Sequence, residues 1–490
     1  MTKKSYLQTE HFTTKGHWWL PNTNKKVAGE LSYTEGDLTL SLYGGLSEAT
    51  VESPFSAKPD ELEYSLIHGE LEDNTAITVL KPFYTKWKPD ITTLAVRPGS
   101  KVELRSSQLG CGAIVEGAHL CSSDETFSKC RVEIPCLDIW LGVSPFNIDM
   151  KDLPRSISLD YSIPEDEQYK IESSDCRVSF THAVTPPGLP LGSSPVISHH
   201  TYLEIDLLQP QTFYQILSRS SDVVDLLSVV YGGPLMPSRT MLYRPSYDEP
   251  LSVFYPRHEV ESKSYDTHDF LIRYIEIKDS FPTVLRNWMN STDNIKRASR
   301  MLISSERRPS NFIEFRFLPL VQAVEVLSNE AAHVTVIEEE EFKIIRENML
   351  ESVKNEISKE LTNSIKNSLQ WANGRSLRDK LRSFLGELQD DTWQLFAVDK
   401  EMFLAGVVKT RNHYTHYSTK ARGRILQGRE LHWGIQKLAL MIRILLLVRA
   451  GVPEKVLQSA IREHFRLKQE RSVWAGISED GSEYVGYEQQ

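Results

Sequence analysis

Val407-Val408-Lys409-Thr410-Arg411-Asn412-His413-Tyr414-Thr415-His416-Tyr417 reads as the polar end of a helix that begins in apolar sequence at Met402-Phe403-Leu404. An arginine, an amide beside it and a histidine five residues on form a set suited to phosphodiester chemistry on RNA. The planar guanidinium fork can hold a phosphate, and an imidazole with an ordinary pKa of about 6.5 can move a proton at neutral pH. On a regular helix Arg411 and His416 lie about 140° apart, whereas Asn412 and His416 share a face. Within one chain the pair does not converge. Two copies facing each other across a twofold axis would converge, so the stretch predicts a dimer.

The spacing alone carries little. A second Arg-x4-His occurs in Cys176-Arg177-Val178-Ser179-Phe180-Thr181-His182, and with 14 histidines in the chain one chance match is expected. That copy lies in alternating, strand-like sequence and has valine after its arginine. What distinguishes Arg411 is helical context, the adjacent Asn412 and local charge. From Met402 to Arg429 the charged residues are Lys409, Arg411, Lys420, Arg422, Arg424 and Arg429, with no Asp or Glu. In a chain of formal charge −10 such a segment is expected to face an anion, the bland alternative being a solvated helix end.

Around this segment the chain is helical. Apolar spacing predicts helices over 312–327, 376–388, 393–410, 432–449 and 454–467, and one long charged helix from about Val336 to Leu369. Its Glu338-Glu339-Glu340-Glu341 run reads as a solvated face near a helix N-terminus. Residues 304–311 read as a polar linker and residues 472–490 as a loose tail. The apolar run Leu438 to Val448 is too short to span a bilayer and Arg443 interrupts it, so no membrane partner is expected.

The first part of the chain reads differently. Val27 to Leu42 is a hairpin turning at Glu35-Gly36-Asp37, and strand-like runs recur at 76–83, 92–96, 101–104, 131–134, 156–161, 176–181 and 202–207. Thr212 to Tyr231 has helical spacing and stops at Gly232-Gly233-Pro234. Two strand-like pieces, 241–243 and 251–255, and helices near 283–289 and 295–303 lead to the linker. The fold class is therefore α+β and multidomain: a β-rich region 1–305 with a sub-boundary near 208, a helical bundle 306–471, and the tail. The five cysteines are odd in number and follow no secretory signal, which fits a reduced, cytoplasmic setting. Cys111, Cys121, Cys130 and Cys136 contain no Cys-x2-Cys pair, so they read as buried thiols, a structural zinc site being the alternative. Trp18 and Trp19 read as core or interface packing rather than exposed stacking rings.

A bundle whose motif helix carries Arg411-Asn412-x3-His416, with an apolar helix after it, resembles the HEPN superfamily of RNases. Gly16-His-Trp-Trp-Leu-Pro21, Val27-Ala-Gly-Glu-Leu31, Gly117-Ala-His119 and Leu137-Asp-Ile-Trp140 look like the ApeA family of anti-phage proteins, which pair a β-rich N-terminal domain with a C-terminal HEPN domain. The resemblance covers nearly the whole chain. It implies an endoribonuclease without a cofactor, in which Arg411 binds the scissile phosphate and His416 is general acid or base as the ribose 2′-OH attacks. Asn412 would orient either. Lys409, His413, Tyr414, Lys420 and Arg422 would touch RNA. The implied partners are RNA, a second copy of the chain or a higher oligomer, and a phage-encoded trigger protein. The competing reading is a non-catalytic HEPN module for dimerisation or nucleic-acid binding, with the N-terminal domain as a ligand-binding domain.

Overall fold

The computed structural model describes residues 10–34, 36–53, 56–61, 65–90, 97–149, 158–171, 175–188, 196–256, 265–307, 312–328, 335–353, 357–396, 398–416 and 425–476. The chain divides into two compact units: Met1–Val224 with Leu235–Thr267, and Asp225–Pro234 with His268–Gln490. The first is a β unit and the second is helical.

The β unit is built on a fourteen-stranded sheet. From one edge its strands run β15 (Glu167–Ile171), β16 (Cys176–Thr185), β17 (Ser198–Thr212), β12 (Thr126–Glu133), β18 (Arg239–Tyr243), β19 (Leu251–Phe254) and β11 (Ala113–Glu116). It continues through β7 (Ala76–Leu80), β6 (Leu66–Leu71), β1 (Phe12–Trp19), β2 (Val27–Thr34), β3 (Asp37–Leu42), β10 (Leu104–Gly110) and β8 (Phe83–Pro89). Every pairing in it is antiparallel; short turns connect sequential neighbours such as β1–β2–β3 and β6–β7, whereas β12 sits between the distant β17 and β18. Two small sheets complete the unit, β5 (Ser56–Pro59) with β4 (Ala49–Ser53) and β9 (Lys101–Val102), and β13 (Phe146–Asp149) with β14 (Ser158–Tyr161).

Alternation decides what each strand buries. In β2 and β3, Leu31 stands opposite Leu40, and both side chains point into a core with Trp18, Ile67, Val79 and Leu109. Trp18 is fully buried, and it fits because Gly69 of β6 lies beneath it: a Cβ on Gly69 would stand 2.2 Å from the indole. Trp19 points the other way. It is half-buried, meets the His119 ring edge-on at 5.2 Å, and has Lys26 Nζ 4.3 Å from its ring centre. The paired tryptophans are thus packing residues, as expected. Trp140, on the short helix α1 (Leu137–Leu141), packs edge-on against Phe180. Helix α2 (Phe213–Tyr231) sets Phe213 against Phe127 of β12. Cys111, Cys130 and Cys136 are buried and Cys121 is exposed. Burial pushes the Cys111 and Cys130 thiols up to about 12.

The helical unit contains α3 (Tyr274–Ile277), α4 (Phe281–Met289), α5 (Asp293–Arg307), α6 (Glu314–Ser328), α7 (Glu339–Val353), α8 (Lys359–Leu369) and α9 (Leu377–Leu385). After these come α10 (Asp390–Gln394), α11 (Lys400–His416), α12 (Gly428–Ala450), α13 (Glu454–Glu463) and α14 (Phe465–Gly476). Its core helix is α12, buried nearly all round, which packs against α4, α5, α6 and α13. By length and composition α12 could cross a membrane, but 78% of its most apolar window is buried. Of its two buried cations, Lys437 and Arg443, the second is bound on several sides. Arg443 is buried, donates from Nη1 to the carbonyls of Ser228 and Val229 at 3.1 Å, and grips both Glu306 oxygens from Nη2 at 2.6 and 2.8 Å.

Four boundaries differ from expectation. The long charged helix is two helices, since Ser358 starts α8 afresh by accepting the Leu361 amide at 3.3 Å. Neither α7 nor α8 contains a buried residue. The expected 393–410 helix is α10 followed by α11. Residues 304–307, expected in the linker, continue α5 with Ser305 buried; residues 308–311 lie outside the described residues. Residues 472–476, expected in the tail, belong to α14, which buries Trp474; residues 477–490 lie outside the described residues. The strand expected at 92–96 lies outside the described residues.

Candidate active site

Helix α11 carries the motif. At its start Asp399 Oδ1 accepts the Met402 amide at 2.7 Å. Glu401, in the first turn, is bound by two arginines of α9: Arg378 Nη2 at 2.8 Å, and Arg382 through Nε at 2.9 Å and Nη2 at 2.7 Å. Those hydrogen bonds, Arg382 first, hold its carboxyl down at about 2. The apolar side, Phe403, Leu404 and Val407, is buried.

The turn before Arg411 is locked by two contacts. Thr410, fully buried, donates from Oγ1 to the Gly406 carbonyl at 2.7 Å and accepts the Leu426 amide at 2.9 Å. Leu426 fits because Gly406 of α11 and Gly434 of α12 both lack a side chain; a Cβ on either would come within 3.1 Å of its methyl carbons. The backbone that presents Arg411 is therefore tied to the point where the chain re-enters the bundle.

Arg411 is half-buried, 29% exposed, rather than fully on the surface as its polar surroundings suggest. Its Nη2 meets Glu325 Oε1 of α6 at 3.2 Å, and its Nη1 donates to Asn412 Oδ1 at 3.3 Å. Glu325 is the site residue that local reading misses. It lies 86 residues away in sequence, in a largely apolar helix, and only the packing of α6 on α11 brings it here. The segment without Asp or Glu in sequence is thus not free of carboxylates in space.

The remaining candidates separate. Asn412 is exposed, and Lys409 and His413 are half-buried. Tyr414 is half-buried with its ring against His413 at 5.3 Å and against Phe317 of α6 at 6.4 Å, which gives it packing work. His416 is the last residue of α11, so Arg411 and His416 stand on one continuous helix, one turn and a half apart. Lys420 and Arg422 lie outside the described residues. The other Arg-x4-His is on β16, as its alternation predicts, where five residues put Arg177 and His182 on opposite sides of the strand. Among the described residues no three His, Cys, Asp or Glu side chains group to hold a metal ion.

A guanidinium at a helix end, partly reached by solvent and braced by one carboxylate and one amide, can take a phosphate by exchanging the carboxylate for it.

Comparison with known proteins places these features in families. No curated protein and no solved structure matches the chain. A family model described as Apea-like HEPN matches residues 318–456, a span that contains Glu325, Arg411 and His416. A second, ApeA N-terminal domain 1, matches residues 13–288, more than half of the 490. With a β-rich region and a helical HEPN bundle both matched and in that order, the chain belongs to the ApeA family.

Proposed function

We propose that this protein is an anti-phage defence ribonuclease of the cytoplasm, working as a homodimer through its HEPN bundle. Arg411 holds the scissile phosphate and offsets its developing charge. His416 moves the proton as the ribose 2′-OH attacks, and the product is a 2′,3′-cyclic phosphate formed without a metal. Asn412, bonded to Arg411, keeps the guanidinium at its angle. Lys409 and His413 flank the phosphate path, and the second copy completes the site. A phage component acting on the N-terminal region would release the enzyme. A restraint of a few kcal/mol keeps the active arrangement to about a percent or less until a partner favours it.

The observation that supports this reading is Arg411 at the end of α11, half-exposed and braced by Glu325 and Asn412, with His416 on the same helix inside the matched HEPN span. The test is to express wild type and His416→Ala with a trigger supplied by infection, and to sequence total RNA for new 3′ ends. Wild type is expected to produce new cyclic-phosphate ends and the variant none, and purified, triggered wild type is expected to cleave RNA in the presence of EDTA. Equal cleavage by both would defeat the assignment to His416, and no new ends from either would move the function to a non-catalytic dimerisation or nucleic-acid-binding module. Cleavage abolished by EDTA would refute the metal-free mechanism.

A further inference from the structure

In the β unit, strand β12, the end of β18 and the turn after it line a charged cleft of about 360 Å³, within the range of small-ligand sites. Register sets it up. Lys129 stands opposite both Asp206 and Tyr243, and Arg131 opposite Glu204. Glu204 is only 6% exposed, and it fixes both cations: Lys129 Nζ lies 3.1 Å from its Oε1, and Arg131 Nε 2.8 Å from its Oε2. The Arg131 guanidinium also lies over the Tyr202 and Tyr243 rings, at 5.2 and 5.6 Å.

Arg244 is different. It is stacked at 4.4 Å over the ring of Tyr247, and its Nε is buried with no hydrogen-bond partner among the described residues. The nearest carboxylate oxygen, Glu125 Oε1, is 3.8 Å from Nη1, beyond hydrogen-bond reach. A buried donor left without an acceptor costs stability, so its retention points to an acceptor supplied from outside. The turn that places it is itself under strain. Tyr247 N donates to Arg244 O at 3.2 Å across Pro245 and Ser246, and Ser246 holds φ at +65°, a region most side chains avoid. Tyr247 remains 58% exposed, with one ring face covered by Arg244 and the other open.

We infer that this cleft binds a nucleotide, its phosphate against Arg244 and Lys129 and its base stacked on the open face of Tyr247. Lys129 and Arg131 are neutralised in part by Glu204 and Asp206, and Asp248 lies in the lining, so bulk positive charge does not account for the site. The unmet Nε donor of Arg244 and the exposed Tyr247 ring are what call for a planar ligand bearing acceptor oxygens. The assignment is independent of the nuclease reading, because it concerns binding in the other unit.

The same chemistry could come from a free nucleotide or from a nucleotide within a strand, and the test separates them. Full-length protein is titrated calorimetrically with each of the four ribonucleoside 5′-monophosphates and with a 5′-phosphorylated DNA hexamer, which lacks the 2′-OH that cleavage needs. Saturable binding is expected, weakened roughly tenfold or more in Arg244→Gln, which removes charge-assisted bonds. Tyr247→Ala, at an exposed position where folding is safe, should weaken it several-fold. A monophosphate binding as tightly as the hexamer assigns a free nucleotide; a hexamer binding at least tenfold tighter assigns a strand. Absence of binding by all the ligands, or binding untouched by both substitutions, overturns the inference.

Discussion

Arg411 and Arg177 each stand five residues before a histidine, yet they occupy different ground. Arg177 lies on a strand paired along both edges, where an odd spacing sends its histidine to the opposite side of the sheet. Arg411 lies at the end of a helix, half-exposed, with a carboxylate from another helix and a neighbouring amide on its guanidinium. The spacing is the same and the chemistry is not. What makes an arginine available to a phosphate is the element that carries it and the groups that brace it.

The sharpest way to break this contrast is to remove each arginine in turn. Arg411→Ala is expected to lower RNA cleavage by about 10²- to 10³-fold, the size of losing one charge-stabilising donor, while Arg177→Ala leaves it unchanged. Counting new RNA 3′ ends for the two variants decides it, and equal effects would erase the distinction.

A smaller effect should follow from loosening the backbone that presents Arg411. Thr410→Val keeps the shape but leaves the Leu426 amide without its acceptor, which costs about 1–3 kcal/mol. The midpoint of denaturant unfolding is expected to fall accordingly. An unchanged midpoint would show that the Thr410 bond does not hold the re-entry point.

Glu325→Gln tests the brace. A half-exposed ion pair of this kind contributes about 0.2–1 kcal/mol, so releasing Arg411 from it should tighten RNA binding by about 1.4- to fivefold. Weaker binding would mean that Glu325 aims the guanidinium rather than competing with phosphate for it.

The smallest expected effect lies at the other end of α11. The Glu401 carboxyl is held at about 2, below its ordinary value of 4.5, so its contribution is complete above pH 4.5 and disappears as pH falls toward 2. Glu401→Gln should flatten that part of the stability-versus-pH curve. If the two curves run parallel below pH 4.5, the arginine pair of α9 contributes nothing there.

Much of this architecture can be read from residue order alone. Strand alternation in residues 27–42, helical spacing in 213–231 and the long apolar helix after the motif all correspond to observed elements, the first two through burial of a periodic face and the last through a continuous apolar run. The misses share a cause. Glu325 shows no local mark, since its relation to Arg411 exists only once α6 packs on α11. The break at Ser358 depends on one cap competing with continued helical spacing. Trp474 looked like part of a loose end because its burial is supplied by Phe396, far upstream, whose ring stacks on it. The Gly16-His17-Trp18-Trp19 block was visible as a pattern, and only the bare surface of Gly69 under Trp18 explains it physically.

The seat of Leu426 between Gly406 and Gly434 has a consequence for how this family could diversify. Helix α11 ends at His416, and by Leu426 the chain is bolted back onto α11 and α12 through a glycine-lined socket and the Thr410 hydroxyl. The socket tolerates no side chain at either glycine, since a Cβ there would press on Leu426 at 3.1 Å. A lineage under pressure from changing targets is therefore free to vary the exposed position Asn412 beside Arg411 only while Gly406, Thr410 and Gly434 are inherited together.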